Sequence, residues 1–111
     1  MKGTTIQADK TRMLRFSINT MIEYKKAKGE DITQALNKMG DNTIDFEFLR
    51  YMFYLGLKHE DKKLTEEKTG EILDVILEDK GMEYLVQNLA EALTKAFGIK
   101  ETPGVSNQKK R

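Results

Sequence analysis

The apolar positions along this chain change their spacing as it proceeds, and the changes divide it into elements. Near the start, Leu14, Phe16 and Ile18 alternate with Arg15 and Ser17, the two-residue period of a strand with one buried face. Thr4, Thr5 and Ile6 favour β structure, and Asp9 in Ala8-Asp9-Lys10 suits a turn. A lone strand would leave its backbone groups unpaired, so the pattern predicts a hairpin of residues 2–8 with 11–17. Two strands alone are marginal, so Leu14, Phe16 and Ile18 are expected to rest on something apolar.

The period then becomes helical. Asn19 is a candidate N-cap and Gly29 a candidate stop, with Lys25, Lys26 and Lys28 where cations suit the helix dipole. Ile18, Met21 and Ile22 give this helix an apolar edge. A short helix is predicted over 31–39, capped by Asp31 and stopped by Gly40, with Ile32, Ala35, Leu36 and Met39 at i, i+3, i+4, i+7. The next, over 45–58, differs in kind. Between Phe46 and Leu57 only Glu47 and Arg50 are charged, and the segment holds five of the nine aromatics. A helix that is apolar all round is either central or has a second apolar partner. Thr65 caps a helix predicted to reach about residue 79, with Glu66 and Glu67 in its first turn and Ile72, Leu73, Val75, Ile76 and Leu77 for packing. Gly70 inside it costs roughly 1 kcal/mol against Ala, which a close helix crossing would offset. Gly81 breaks the chain, and Met82, Leu85, Val86, Leu89, Leu93 and Ala96 form one stripe on a last helix that Gly98 ends.

The expected fold is mainly α (α+β): an N-terminal β-hairpin, a compact bundle of about five helices around the aromatic one, and a tail. Residues 1–98 form one domain in this reading. Residues 99–111 offer too little apolar surface to offset ordering, so a flexible basic tail is expected there. A core this small is marginal, which makes oligomerisation a source of extra stability.

Composition narrows the chemistry. The 111 residues contain no Cys and one His, His59, so thiol chemistry and Cys-ligated metals are excluded. No apolar run approaches the roughly 20 residues of a membrane span, and the N-terminus lacks a signal-peptide stretch, so the expectation is a cytoplasmic protein. No glycine-rich phosphate loop is present. Glu71, Asp74 and Glu78 share one side of a helix, which reads as a solvated face before it reads as paired carboxylates. The residues therefore point away from an enzyme, and no metal or cofactor is expected.

The net charge of +1 is a sum over unlike regions. Residues 1–28 carry seven basic and two acidic groups, while 60–83 carry nine acidic and four basic. This split leaves two readings, a pair of solvated mixed-charge surfaces or a head-to-tail contact between copies, with Arg12, Arg15, Lys25 and Lys26 facing Glu66, Glu67, Glu71 and Asp74. The surplus of the aromatic helix predicts a second surface. Phe48, Tyr51, Met52 and Tyr54 are candidate contacts for an apolar partner helix or another copy. Nucleic acid is a poor fit at this near-neutral charge. A small helical DNA-binding or regulatory adaptor is the alternative, built on segments 31–39 and 45–58 as a helix-turn-helix; its recognition helix would be aromatic where a groove reader is polar.

Two stretches resemble the tail assembly chaperones of long-tailed, non-contractile phages of Gram-positive bacteria. The first is LRFSINTMIEYKKAKG, residues 14–29, an apolar strand running into a helix closed by Gly. The second is LRYMFYLGLKHEDKKLTEEKTGEILD, residues 49–74. With the last helix and its Ala-Phe-Gly end, the likeness covers roughly residues 10–98. It implies a non-enzymatic protein that coats the long tape measure protein while tail tube subunits polymerise around it. The chaperone would work in the host cytoplasm and be absent from the mature virion. It also implies a longer frameshifted product that recruits tube subunits; Lys109-Lys110 would suit a slippery codon pair.

Overall fold

The computed structural model of the protein describes residues 3–31, 34 and 45–97. They form a two-stranded antiparallel sheet, β1 (Thr4–Gln7) and β2 (Thr11–Leu14), and four helices: α1 (Ile18–Lys28), α2 (Phe46–Leu57), α3 (Glu66–Lys80) and α4 (Met82–Phe97). The predicted helix over 31–39 lies outside the described residues apart from Asp31 and Gln34, and the predicted tail over 99–111 lies outside them altogether.

The strands pair Thr4 with Leu14 and Ile6 with Arg12. The turn is held locally: the Ala8 amide donates to the Lys10 carbonyl, and the Lys10 amide to the Asp9 carboxylate. β2 is shorter than the alternation predicted. At Arg15 the backbone leaves β1, and its amide donates to the Gly56 carbonyl of α2 at 2.9 Å. Ser17 then caps α1, accepting from the Thr20 amide, so the helix begins before Asn19 and the strand period ends at Phe16. Leu14 and Phe16 are buried as expected, but Ile18 belongs to the helix and faces solvent. The expected apolar edge of α1 is corrected likewise: Ile22 is exposed, Met21 half-buried, and Tyr24 is the residue that anchors the helix.

Other helix ends follow their chemistry. Asp45 accepts from the Glu47 and Phe48 amides, Thr65 from the Lys68 amide, and Gly29 stops α1 in the left-handed conformation at φ 75°. α2 is the hub, touching β2, α1 and α3, while α4 covers β1 and packs on α3. That position explains its composition. A helix with neighbours on several sides has no face left to be polar, and Phe48, Leu49, Tyr51, Met52, Phe53, Leu55 and Leu57 are all buried.

The tight approach falls at Gly56. A Cβ placed there would sit 2.5 Å from Leu14 Cδ1 and 2.8 Å from Phe16 Cζ, both in a filled core. The close crossing anticipated at Gly70 is absent: a Cβ there meets only the flexible Arg50 side chain, at 3.3 Å. Gly56→Ala should therefore cost about 1–3 kcal/mol through overpacking, despite its gain in helix propensity. Gly70→Ala should be neutral or stabilising by up to about 1 kcal/mol. Urea denaturation of the two variants beside the parent checks both, and equal behaviour of the pair would contradict the packing argument.

Candidate interaction surfaces

The aromatic residues stack rather than project. Tyr24 meets Phe48 edge-on at 6.2 Å and Tyr51 at 6.1 Å, and Tyr51 continues to Tyr54 at 6.1 Å. Lys28 lies over the Tyr51 ring at 4.7 Å and Lys58 over Tyr54 at 5.2 Å. Tyr24 donates to the Glu30 carboxylate at 2.7 Å; burial first, then this bond, raises its phenol above the ordinary value. Burial also raises Tyr51. Of the four expected apolar contacts, Phe48, Tyr51 and Met52 are buried within the domain, and only Tyr54 is part-exposed.

Tyr54 opens onto a groove of about 470 Å³. Leu55 and Leu64 share its floor, and Lys58, His59 and Lys62 stand around it. Lys58 donates to Glu23 of α1, and this bond holds its ammonium above the ordinary value. The His59 Nε2–H donates to the Met13 carbonyl at 2.9 Å, while the Met13 amide donates to Glu60 at 3.1 Å. The only imidazole thus holds the free edge of β2, and among the described residues no cluster of three or more His, Cys, Asp or Glu is placed to hold a metal ion.

The expected charged contacts separate into two kinds. Arg12 is buried, bonded through two nitrogens to Asp9 at 2.7 and 2.9 Å, and lies 3.7 Å from Asp61. It staples the hairpin turn to the segment after α2 and is not available to a partner. Arg15 is half-buried, whereas Lys25 and Lys26 are exposed on α1. Glu66, Glu67, Glu71 and Asp74 are exposed on α3, Glu66 lying 3.6 Å from Arg50 and Glu71 3.6 Å from Lys68. Pairs so open to water contribute little to stability.

One feature escaped the sequence reading. Phe46, at the first turn of α2, stands exposed at a cleft of about 270 Å³ that α2, α3 and α4 enclose with Leu49, Leu73, Leu77 and Leu85, with Arg50 and Asp74 at its sides. Only the tertiary arrangement brings those leucines together, so no local pattern could mark the cleft. No helix among the described residues is long and apolar enough to cross a membrane. Comparison with family models, with curated proteins and with solved structures finds no match to this chain.

The Arg12 staple has a pH signature. Its hydrogen bond holds the Asp9 carboxyl below the ordinary 3.8, so the stabilisation is complete above that value and is lost as pH falls through the lowered one. Asp9→Asn should cost about 1–2 kcal/mol at pH 7, since it leaves a buried guanidinium poorly paired. The difference from the parent should shrink well below pH 3.8. Urea unfolding of both proteins at pH 7 and in strong acid measures it.

Proposed function

We propose that this protein is a phage tail assembly chaperone, a non-enzymatic holder of the tape measure protein during tail tube polymerisation. The observation that carries the reading is where the resembling sequence falls. Residues 49–74 run from the central helix through the Lys58–Leu64 connector into α3 and supply Tyr54, Leu55 and Leu64, the floor of the open groove. An apolar floor between cationic side chains suits a long amphipathic helix with acidic flanks, held without deep burial and so releasable. This reading places the tape contact at Tyr54, Lys58 and Lys62, with Phe48, Tyr51 and Met52 supporting it from within the core. The tail tube protein would be met through a longer frameshifted form. The host cytoplasm would be the place of action, and the finished virion would lack the chaperone.

A DNA-binding adaptor finds less support. The helix such a reader would insert is α2, and its Phe48, Tyr51, Met52 and Phe53 are buried.

Co-expression with overlapping segments of the tape measure protein encoded in the same genome tests the proposal. Capture of at least one helical segment is expected, weakened roughly tenfold by Lys62→Glu combined with Tyr54→Ala, the variant remaining folded at the assay temperature although loss of the Tyr51 stacking lowers its unfolding midpoint. Failure of the unaltered chain to retain any tape segment would overturn it, as would retention of labelled DNA duplex at moderate salt in place of the tape.

A further inference from the structure

The two lysines at the open groove are not alike. Lys62 is exposed on the connector, and among the described residues its ammonium has no ion pair. Lys58, at the end of α2, lies over the Tyr54 ring at 5.2 Å and donates to the Glu23 carboxylate of α1. That bond raises the Lys58 ammonium above its ordinary value, against a partial burial that would lower it. One cation of the groove is therefore free, and the other already carries a carboxylate.

Glu23 comes from the helix that walls this side of the groove. Thr20 lines it, and Glu23 follows Thr20 by three residues, on the same side of α1. The other charges in the neighbourhood are engaged elsewhere or stand off the lining. Glu60 accepts from the Met13 amide, and Asp61 accepts from the Lys63 amide and lies 3.7 Å from Arg12. Lys25 lies 3.3 Å from Asp31, and Lys28 lies over the Tyr51 ring. Lys26 and Lys63 are exposed and do not line the groove. His59 is bonded through Nε2 to the Met13 carbonyl.

We propose that Glu23 holds, at Lys58, the place of a carboxylate from the bound helix, and so acts as an internal competitor that keeps the groove's hold on an acidic-flanked helix weak. The inference rests on the groove reading above and adds the residue that sets its strength. The chain displays the ligand chemistry itself: a carboxylate seated on an ammonium that stays over an aromatic ring. A carboxylate arriving from a partner meets Glu23 there. If Glu23 swings aside, one ion pair is exchanged for another. If it stays, two like charges share one ammonium. In both cases the net gain at Lys58 is small, and Lys62, with no carboxylate to give up, supplies most of the electrostatic attraction. The apolar contact with Tyr54, Leu55 and Leu64 is unaffected by the exchange. Losing the Glu23 bond leaves α1 seated, because Tyr24 still packs on Phe48 and Tyr51.

Labelled amphipathic peptides test this. Each has leucines at i, i+3, i+4 and i+7, with glutamates on both flanks in one, glutamines in a second and lysines in a third. Fluorescence anisotropy with the full chain should show the glutamate peptide bound most tightly and the lysine peptide least. Glu23→Gln should tighten the glutamate peptide by about two- to fivefold, the size an exposed ion pair allows, and leave the glutamine peptide unchanged. Lys58→Gln should weaken the glutamate peptide more in the Glu23→Gln background than in the parent, because only there is the ammonium free. Glutamate-peptide binding that Glu23→Gln leaves unchanged or weakens would overturn the inference and leave the chaperone reading standing. Equal tightening of the glutamine peptide would also overturn it, since that reports a reshaped groove and not a freed charge. Absence of glutamate-peptide binding to both proteins would do the same, whereas capture of a tape segment judges the chaperone reading separately.

Discussion

Everything else in this fold depends on the line where β2 runs along the C-terminal half of α2. Among the described residues the sheet has two strands, so β2 has one edge with no strand beside it. That edge is closed by α2 and the residues after it. The Arg15 amide reaches the Gly56 carbonyl, the Met13 carbonyl receives His59, and the Met13 amide reaches Glu60. The carbonyls of a helix's last turn have no partner inside the helix, and Gly56 offers its own to the strand at close range. It does so here because position 56 has no side chain, and Leu14 and Phe16 occupy the vacated space. The same arrangement satisfies the backbone, seats two core side chains and sets the direction in which α1 departs.

The parts of the fold governed by neighbours in sequence were legible without coordinates. Thr65 and Gly29 act within one helical turn of themselves, and each ends its helix where its chemistry said it would. Asn19 was misplaced for a non-local reason. The strand ends when it meets Gly56, a residue far along the chain, and so Ser17 reaches the capping position first. The interaction surfaces were less legible. An apolar run such as Phe46 to Leu57 is compatible with a hub or with an interface, and only the number of elements around it decides. Here β2, α1 and α3 take up most of it, leaving Tyr54 and Phe46 at its margins.

Charge behaves in the same way. A count by segment treats every arginine as available, yet Arg12 is consumed by Asp9 and Asp61 within the hairpin and its neighbouring connector. On α1, Lys25 lies 3.3 Å from Asp31 and Lys28 over the Tyr51 ring, while Lys26 is exposed near the open Ile22. Folding thus sorts charges of one sign into structural and social roles that composition cannot separate.

The contact of β1 with α4 has a consequence for the order of events during synthesis. The Gln7 amide is bonded to the Tyr84 hydroxyl and the Gly3 carbonyl to Lys95, joining residues 77 and 92 positions apart. As the chain leaves the ribosome, β1 is made first, but the helix that covers Ile6 is the last of the described elements to emerge. Until then the hairpin has one uncovered face, and closure over so long a span is slow relative to local helix formation. Among the described elements, the sheet therefore waits on the last helix: α1, α2 and α3 can form locally while β1 stays uncovered until α4 reaches it.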